Sequence, residues 1–287
     1  MKNKKYWLLI IFLLLIIIDI FLITLDFRHS RRVFTFAMLD VGQGDALFIE
    51  SPTGTQILFD GGPARKILGP LRKVMSPFDH TIDAIVITNP DADHIGGFAD
   101  ILKNYEVSYM FEPGTQNSSK TFQNLKTEIQ NKKIPRILAR KGMRINMGGG
   151  TVIDILFPDR DVSSWSTNDG SIVARLSYGA TTIMLTGDAT SKTEKIVLAG
   201  SIPEDIKSKI LKVGHHGSRS STSASFVKAV EPTYALISNG KDNSYGHPHK
   251  EVLETLNSIG AQVFRTDLLG TIMIQSDSKK ESFSFMK

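Results

Sequence analysis

Five of the seven histidines in this chain follow apolar, β-branched runs and stand among carboxylates. Ile82–Thr88 leads into Asn89-Pro90-Asp91-Ala92-Asp93-His94 and then Gly96-Gly97. Thr181–Thr186 leads into Gly187-Asp188, and Ile210–Val213 into Gly214-His215-His216-Gly217-Ser218-Arg219. Tyr234–Ser238 leads into Asn239-Gly240 and later Gly246-His247-Pro248-His249. Imidazoles and carboxylates so grouped are ligands for divalent ions, and an ion held by them activates water for hydrolysis. Taken singly, each motif has a plainer use. Asp91 and Asp93 can cap a helix, His215-His216 can form a polar turn, and Asp188, His247 and His249 can precede helices. Together, at strand ends and in this order, they point to one site assembled from distant sequence. His29 and His80 lack such surroundings and read as ordinary polar residues.

The elements that would position these groups are short strands alternating with helices. β-Branched runs predict strands over Val33–Leu39, Asp45–Glu50, Thr55–Phe59, Ile82–Thr88, Val107–Phe111 and Thr151–Phe157. Further strands are predicted over Ser171–Tyr178, Thr181–Thr186, Ser208–Val213, Thr233–Ser238, Gln262–Arg265 and Thr271–Gln275. Helical periodicity covers Ala64–Met75, Ile95–Lys103, Lys120–Asn131, Ser191–Leu198, Ser223–Val230 and Lys250–Ser258. Gly148-Gly149-Gly150 and Pro158–Asp169 are the most loop-like stretches, the second long enough for a functional loop. There is no internal repeat, and the pattern reads as a single α/β or α+β domain over 33–287.

At 287 residues the chain can bury a sizeable core, and it contains no cysteine. That excludes a disulfide framework, a cysteine zinc site and a thiol nucleophile. The formal charge of +5 invites a nucleic-acid partner, but its location argues otherwise. Lys2, Lys4, Lys5, Arg28, Arg31 and Arg32, against Asp19 and Asp26, leave only +1 for residues 33–287. Most of the excess flanks the apolar run Tyr6–Leu25, which matches the ~20 residues needed to cross a bilayer. A cleavable signal peptide has a shorter apolar stretch followed by a small-residue site, and Thr24–Arg28 offers none. The expectation is a cytoplasmic 1–5, a transmembrane anchor over 6–25 and a linker over 26–32. Basic residues on both sides of the span nearly balance, so they do not orient it.

The motifs resemble those of the metallo-β-lactamase superfamily, and more narrowly the nuclease-like domain of ComEC-type competence proteins. The matching stretches are Leu39–Ala46, Phe59–Gly62, Thr88–Gly97, Asn168–Ser171, Leu185–Asp188, Lys212–Ser218 and Asn243–His249. The resemblance covers about residues 33–287. It implies a four-layer αββα sandwich and a hydrolase using one or two divalent metals, with DNA or another phosphodiester as substrate. It also implies an extracytoplasmic catalytic domain. ComEC-type proteins carry a polytopic channel domain that these residues do not include, so the resemblance does not extend to DNA uptake itself. Other substrates open to the fold are a lactone, a β-lactam or a cell-wall phosphoester. A catalytically weak binding module is a further alternative, and no protein partner is evident.

By position, the resemblance implies metal ligands at Asn89, Asp91, Asp93, His94, Asp188 and His215, with Asp188 bridging. Asn89 departs from the family pattern, an amide standing where an imidazole is usual. One position would then see Asp93, His94, His215 and Asp188, a mixed N/O set suited to Zn²⁺ or Mn²⁺. The other would see Asp91, Asp188 and Asn89 or Asn168, an oxygen set that favours Mn²⁺ or Mg²⁺ and binds less firmly. Asp93 is the candidate to orient the attacking water, and His247 or His249 to hold a phosphate or protonate the leaving oxygen. Gln43 and Asp45 are expected at the rim or behind the ligands. Asn168, Ser171, His216, Ser218 and Arg219 are expected on the substrate side.

Overall fold

The computed structural model describes residues 2–30 and 33–287. The first helix, α1 (Lys2–Ser30), contains the window Lys4–Ile23, with mean hydropathy 3.0 and none of it buried. By length and composition it suffices to cross a membrane. It takes in positions 26–30, part of the expected linker. Arg31 and Arg32, with the side chains of 24–30 such as Arg28 and His29, lie outside the described residues.

Residues 33–287 build two sheets. The first begins with β1 (Phe34–Met38), β2 (Leu47–Glu50), β3 (Gln56–Phe59), β4 (Thr81–Val86), β5 (Glu106–Glu112) and β6 (Arg136–Leu138). The second comprises β7 (Arg144–Gly148), β8 (Thr151–Phe157), β9 (Val173–Tyr178), β10 (Thr181–Leu185), β11 (Ile210–Lys212), β12 (Tyr234–Ile237) and β13 (Gln262–Arg265). The chain then returns to the first sheet with β14 (Thr271–Ser276) and β15 (Glu281–Met286). The strand orders are β15-β14-β1-β2-β3-β4-β5-β6 and β13-β12-β11-β10-β9-β8-β7. The helices are α2 (Leu68–Val74), α3 (Ala92–Ile95), α4 (Phe98–Asn104), α5 (Lys120–Asn131), α6 (Ser191–Gly200), α7 (Pro203–Ile206), α8 (Ala224–Val230), α9 (Lys250–Ser258) and α10 (Thr266–Leu269).

Side-chain alternation explains the layering. On β1, Phe34, Phe36 and Met38 face a core shared with Ile153, Leu176 and Ile183 of the second sheet. Ala37 and Leu39 face the other way, against Leu71, Phe98 and Phe122 of α2, α4 and α5. The second sheet's outer face packs on Val197, Phe226, Val227 and Leu256 of α6, α8 and α9. The result is helix, sheet, sheet, helix, the expected αββα sandwich.

All twelve expected strands are present, with ends shifted by at most two residues. Those the sequence reading missed, β6, β7 and β15, lie at sheet edges. Edge strands face solvent on one side, so their polar, short runs carry little apolar signal. Gly148–Gly150, expected as a loop, is the turn of the β7–β8 hairpin. The helix expected over Ile95–Lys103 is broken into α3 and α4, because the chain at Gly96-Gly97 runs against the Gly61–Ala64 backbone. A Cβ on Gly97 would collide with the Gly61 carbonyl. The helix expected from Ala64 begins only at Leu68, since Arg65 takes a left-handed conformation at φ 64°.

Candidate metal centre

Half of each sheet is parallel: β3 to β6 in one, β10 to β13 in the other. Parallel strands deliver the loops beyond their carboxyl ends to the same edge, a usual position for ligand sites. The loop after β4 brings Asn89–His94, that after β10 brings Asp188, and that after β11 brings His215 and His216. The turn after β11 is strained: His215 (φ 48°) and His216 (φ 55°) are both left-handed, and Gly217 follows at φ 85°. Two successive non-glycine residues in that region cost roughly 1–3 kcal/mol each, tolerated when the surroundings over-determine them. Here the strain turns two imidazoles toward Asp188.

Asp45, His94, Asp188 and His216 offer ligand atoms within 4.8 Å of one another, and all four side chains are buried. The two rings have the same wiring. His94 Nδ1 lies 2.8 Å from Asp60 Oδ2, and His216 Nδ1 donates to the Ser238 carbonyl at 2.9 Å. Asp60 is held in turn by the Thr88 backbone N–H at 2.8 Å and hydroxyl at 2.5 Å. With Nδ1 committed, each ring presents Nε2. His94 Nε2 is 3.0 Å from Asp188 Oδ2, and His216 Nε2 is 3.3 Å from Asp93 Oδ2 and 3.7 Å from Asp188 Oδ2. Neither buried Nε2 has a hydrogen-bond partner, and neither does Asp188 Oδ1. Orphaned ring nitrogens converging on two carboxylates, each ring oriented from behind, fit a divalent ion.

Asp45 stands on the other side of the rings, 3.4 Å from His216 Nδ1 and 3.9 Å from His94 Nδ1. It therefore faces the edges that carry the protons and pairs with the buried Lys212 ammonium, which also donates to the Gly187 carbonyl at 2.8 Å. Gly44 lets the Asp45 loop approach so closely, because a Cβ there would collide with the Asp93 carbonyl.

The charges are strongly coupled. Burial disfavours ionised Asp188, but His94 and His216 outweigh it and hold its pKa well below the usual carboxylate value. Burial likewise opposes protonation of His216, yet Asp188 and Asp45 overcome it and push the pKa up to about 10. His94 is raised well above its ordinary value by Asp188 and Asp60 against the same cost. Asp45 falls to about 2, because Lys212 and His216 outweigh burial. Burial and the neighbouring histidines drive His247 down to about 4, so it is neutral near pH 7.

The other expected site residues divide into two groups. Gln43, Asp91, Asp93, Asp188, His215, His216 and His247 line an open cleft of about 380 Å³, together with Asn117, Ser119 and Tyr245. His215 Nε2 is also 3.7 Å from Asp188 Oδ2, but this ring is part-exposed on the cleft side and its Nδ1 meets Ser220 Oγ at 3.0 Å. His249 stands behind His247, ring centroids 4.9 Å apart, where its Nδ1 accepts from the Arg219 backbone N–H. Asn89 is buried beneath the cleft and hydrogen-bonded to Ser171. Asn168, Ser218 and Arg219 do not line it: Ser218 braces Ser220 at 3.0 Å, and Arg219 is exposed. The sequence reading gave no role to Asp60, Thr88, Asn117, Thr167 or Tyr245. Asp60, Thr88 and Tyr245 do lie within the stretches that resemble the family, Phe59–Gly62, Thr88–Gly97 and Asn243–His249, whereas Asn117 and Thr167 lie outside them.

The Metallo-beta-lactamase superfamily model matches residues 39–241. Over 272 residues the chain is 31% identical to "ComE operon protein 3" of Bacillus subtilis (strain 168), covering 86% of this chain and 34% of that protein. It is 29% identical over 263 residues to "Recombination protein 2" of Haemophilus influenzae (strain ATCC 51907 / DSM 11121 / KW20 / Rd), covering 90% and 31%. The chain thus spans about a third of the length of these curated relatives. Among solved structures it is similar to CmlA, a diiron β-hydroxylase from Streptomyces venezuelae. The TM-score is 0.54 at 13% identity, over 88% of this chain and 54% of that one, a likeness of fold. Facing sheets, buried imidazoles and carboxylates at their parallel ends and a family match over most of the length agree: the chain belongs to the metallo-β-lactamase superfamily and carries its hydrolase fold.

Proposed function

We propose that the chain is a membrane-anchored, metal-dependent phosphodiesterase acting on DNA, its ion held by Asp93, His94, Asp188 and His216. The observation that carries the metal assignment is the pair of buried, unpartnered Nε2 atoms aimed at Asp188 and Asp93. This mixed N/O set suits Zn²⁺ or Mn²⁺. The phosphodiester and DNA reading rests on the family and on a relative named for recombination. The anchor would be α1, with the catalytic domain outside the cytoplasm.

When bound, the ion supplies Lewis acidity toward a phosphoryl oxygen and lowers the pKa of water. The protein's own groups do the rest. Asp60 and the Ser238 carbonyl fix the tautomers of His94 and His216, so that the lone pairs stay on Nε2. Asp93 is part-exposed at the cleft and keeps a depressed pKa, because contact with His216 and His94 outweighs its burial. It therefore stays ionised to accept a proton from an incoming water. His247, neutral at pH 7, offers a hydrogen bond rather than a positive charge to the substrate. His215 stands beside Asp188 on the solvent side, within reach of a bound group.

Among the described residues the cleft lining contains no Lys or Arg, which favours a second reading, a small phosphodiester or another hydrolysable ester. One experiment separates these. The full chain, loaded with Mn²⁺ or Zn²⁺, is assayed on single-stranded DNA, duplex DNA, bis(p-nitrophenyl) phosphate, a lactone and a β-lactam. Chelator-sensitive cleavage of DNA is the expected result. Cleavage of the small phosphodiester alone selects the second reading, and hydrolysis of the lactone or lactam alone overturns the phosphodiesterase assignment.

A further inference from the structure

We propose that the centre binds a single divalent ion, the second position of the family's usual pair being closed by this chain's own hydrogen bonds and by Lys212. The inference rests on the metal assignment above and concerns only its stoichiometry.

The residues expected around a second ion are Asp91 and Asn89 or Asn168, with Asp188 bridging, and Ser171 stands against Asn89. In the first position, Nε2 of His94 and of His216 lacks any partner, as an ion-binding atom should. In the second, the side chains satisfy one another. The Asp91 backbone N–H donates to Asn89 Oδ1 at 2.9 Å, which fixes the orientation of that amide. The opposite face of the amide, Nδ2–H, therefore points at Ser171 Oγ, at 3.4 Å. A donor thus stands where a ligand would need a lone pair. The Ser171 hydroxyl donates onward to the Thr167 carbonyl at 3.3 Å. Both Asp91 oxygens already accept, from Asn117 Nδ2 at 2.9 Å and from Thr167 Oγ1 at 2.7 Å. Apart from Asp188 Oδ1, the acceptor of the expected set left without a partner is Asn168 Oδ1, one neutral amide oxygen.

The bridging carboxylate is equally one-sided. Asp188 Oδ2 takes the close contacts to His94 and His216, whereas Oδ1 has no hydrogen bond and lies 4.0 Å from the Lys212 ammonium. Lys212 is fully buried, paired with Asp45 and anchored to the Gly187 carbonyl. The centre therefore has a fixed positive charge on the side of Asp188 that a bridging ligand would offer to a second ion. A divalent cation there would meet a neighbouring ammonium and would have to break the Asn89–Asp91–Ser171 network.

The test is stoichiometry. The metal-stripped full chain in detergent is titrated with Mn²⁺ by calorimetry, desalted for elemental analysis, and examined by electron paramagnetic resonance. One Mn²⁺ per chain with an isolated six-line spectrum is expected. Two per chain, or an exchange-coupled pair, overturns the inference while leaving the enzyme assignment intact. No bound Mn²⁺ overturns both. Asn89→Asp replaces the Nδ2 donor by a carboxylate oxygen of nearly the same shape and should admit a second equivalent. If this folded variant still takes only one, the closing role given to Asn89 is wrong.

Discussion

Asp60 and His94 form a 2.8 Å contact between Oδ2 and Nδ1 that decides which ring nitrogen faces Asp188. Without it the tautomer is free, and Nε2 no longer has to carry the lone pair. Asp60→Asn keeps the volume but loses the charge that favours Nδ1–H. It should weaken Mn²⁺ binding about 10- to 100-fold, the usual cost of losing such a partner. Calorimetry on the folded variant checks this, and an unchanged Kd would remove Asp60 from the centre.

The neighbouring histidines of the β11 turn should separate cleanly. His216 is buried with its Nε2 near both Asp93 and Asp188, whereas His215 is part-exposed on the cleft. His216→Ala should lose tight Mn²⁺ binding. His215→Ala should keep the ion bound and lower the turnover of bound substrate instead, because this ring lies on the cleft side of Asp188. The reverse ranking would assign the ligand role to His215, as the resemblance implies.

That pair also marks what was legible in the sequence. The sandwich could be read because its central strands are apolar on both faces, and Asp91, Asp93, His94 and Asp188 follow β4 and β10 where the alternating pattern put strands. Which of two adjacent histidines turns inward depends on the left-handed φ at both positions, and residue identity does not encode that. For Asp45 the sequence left two places open, the rim or behind the ligands; the collapse of its loop over Gly44 decides for the second, burying it against Lys212 from the other sheet, a contact between residues distant in sequence. Asp60 stood in a matching stretch but its role behind His94 depends on a contact between residues 34 apart, and the Ser238 carbonyl is backbone, which carries no residue signature.

Protons and metal compete for the same nitrogens, so pH should act in opposite directions on the empty and loaded protein. His216 has a folded pKa of about 10 against an ordinary 6.5. A raised base stabilises the folded state fully below its unfolded pKa and loses that contribution as pH rises through the folded value. The Tm of the metal-stripped protein should therefore fall between about pH 6.5 and 10. Metal needs both imidazoles neutral, so Mn²⁺ affinity should rise over the same interval, and binding near pH 7 should release protons. Thermal scans at several pH values, with calorimetry in buffers of different ionisation enthalpy, test both. A Tm of the stripped protein that does not fall, or Mn²⁺ uptake without proton release, would contradict the charge coupling described for His216.

Lys212 and Asp45 join the two sheets through an ion pair from which solvent is excluded. Breaking such a pair from one side leaves an uncompensated buried charge, at a cost of about 3–5 kcal/mol. Lys212→Met should destabilise by that amount in chemical denaturation of the metal-stripped protein. The double variant Lys212→Met/Asp45→Asn removes both charges and should recover most of the loss, because the penalty belongs to the orphaned carboxylate and not to the missing attraction. The cycle discriminates between the two origins: additive losses would mean that Lys212 stabilises by packing its stem, whereas recovery identifies the buried charge as the cause.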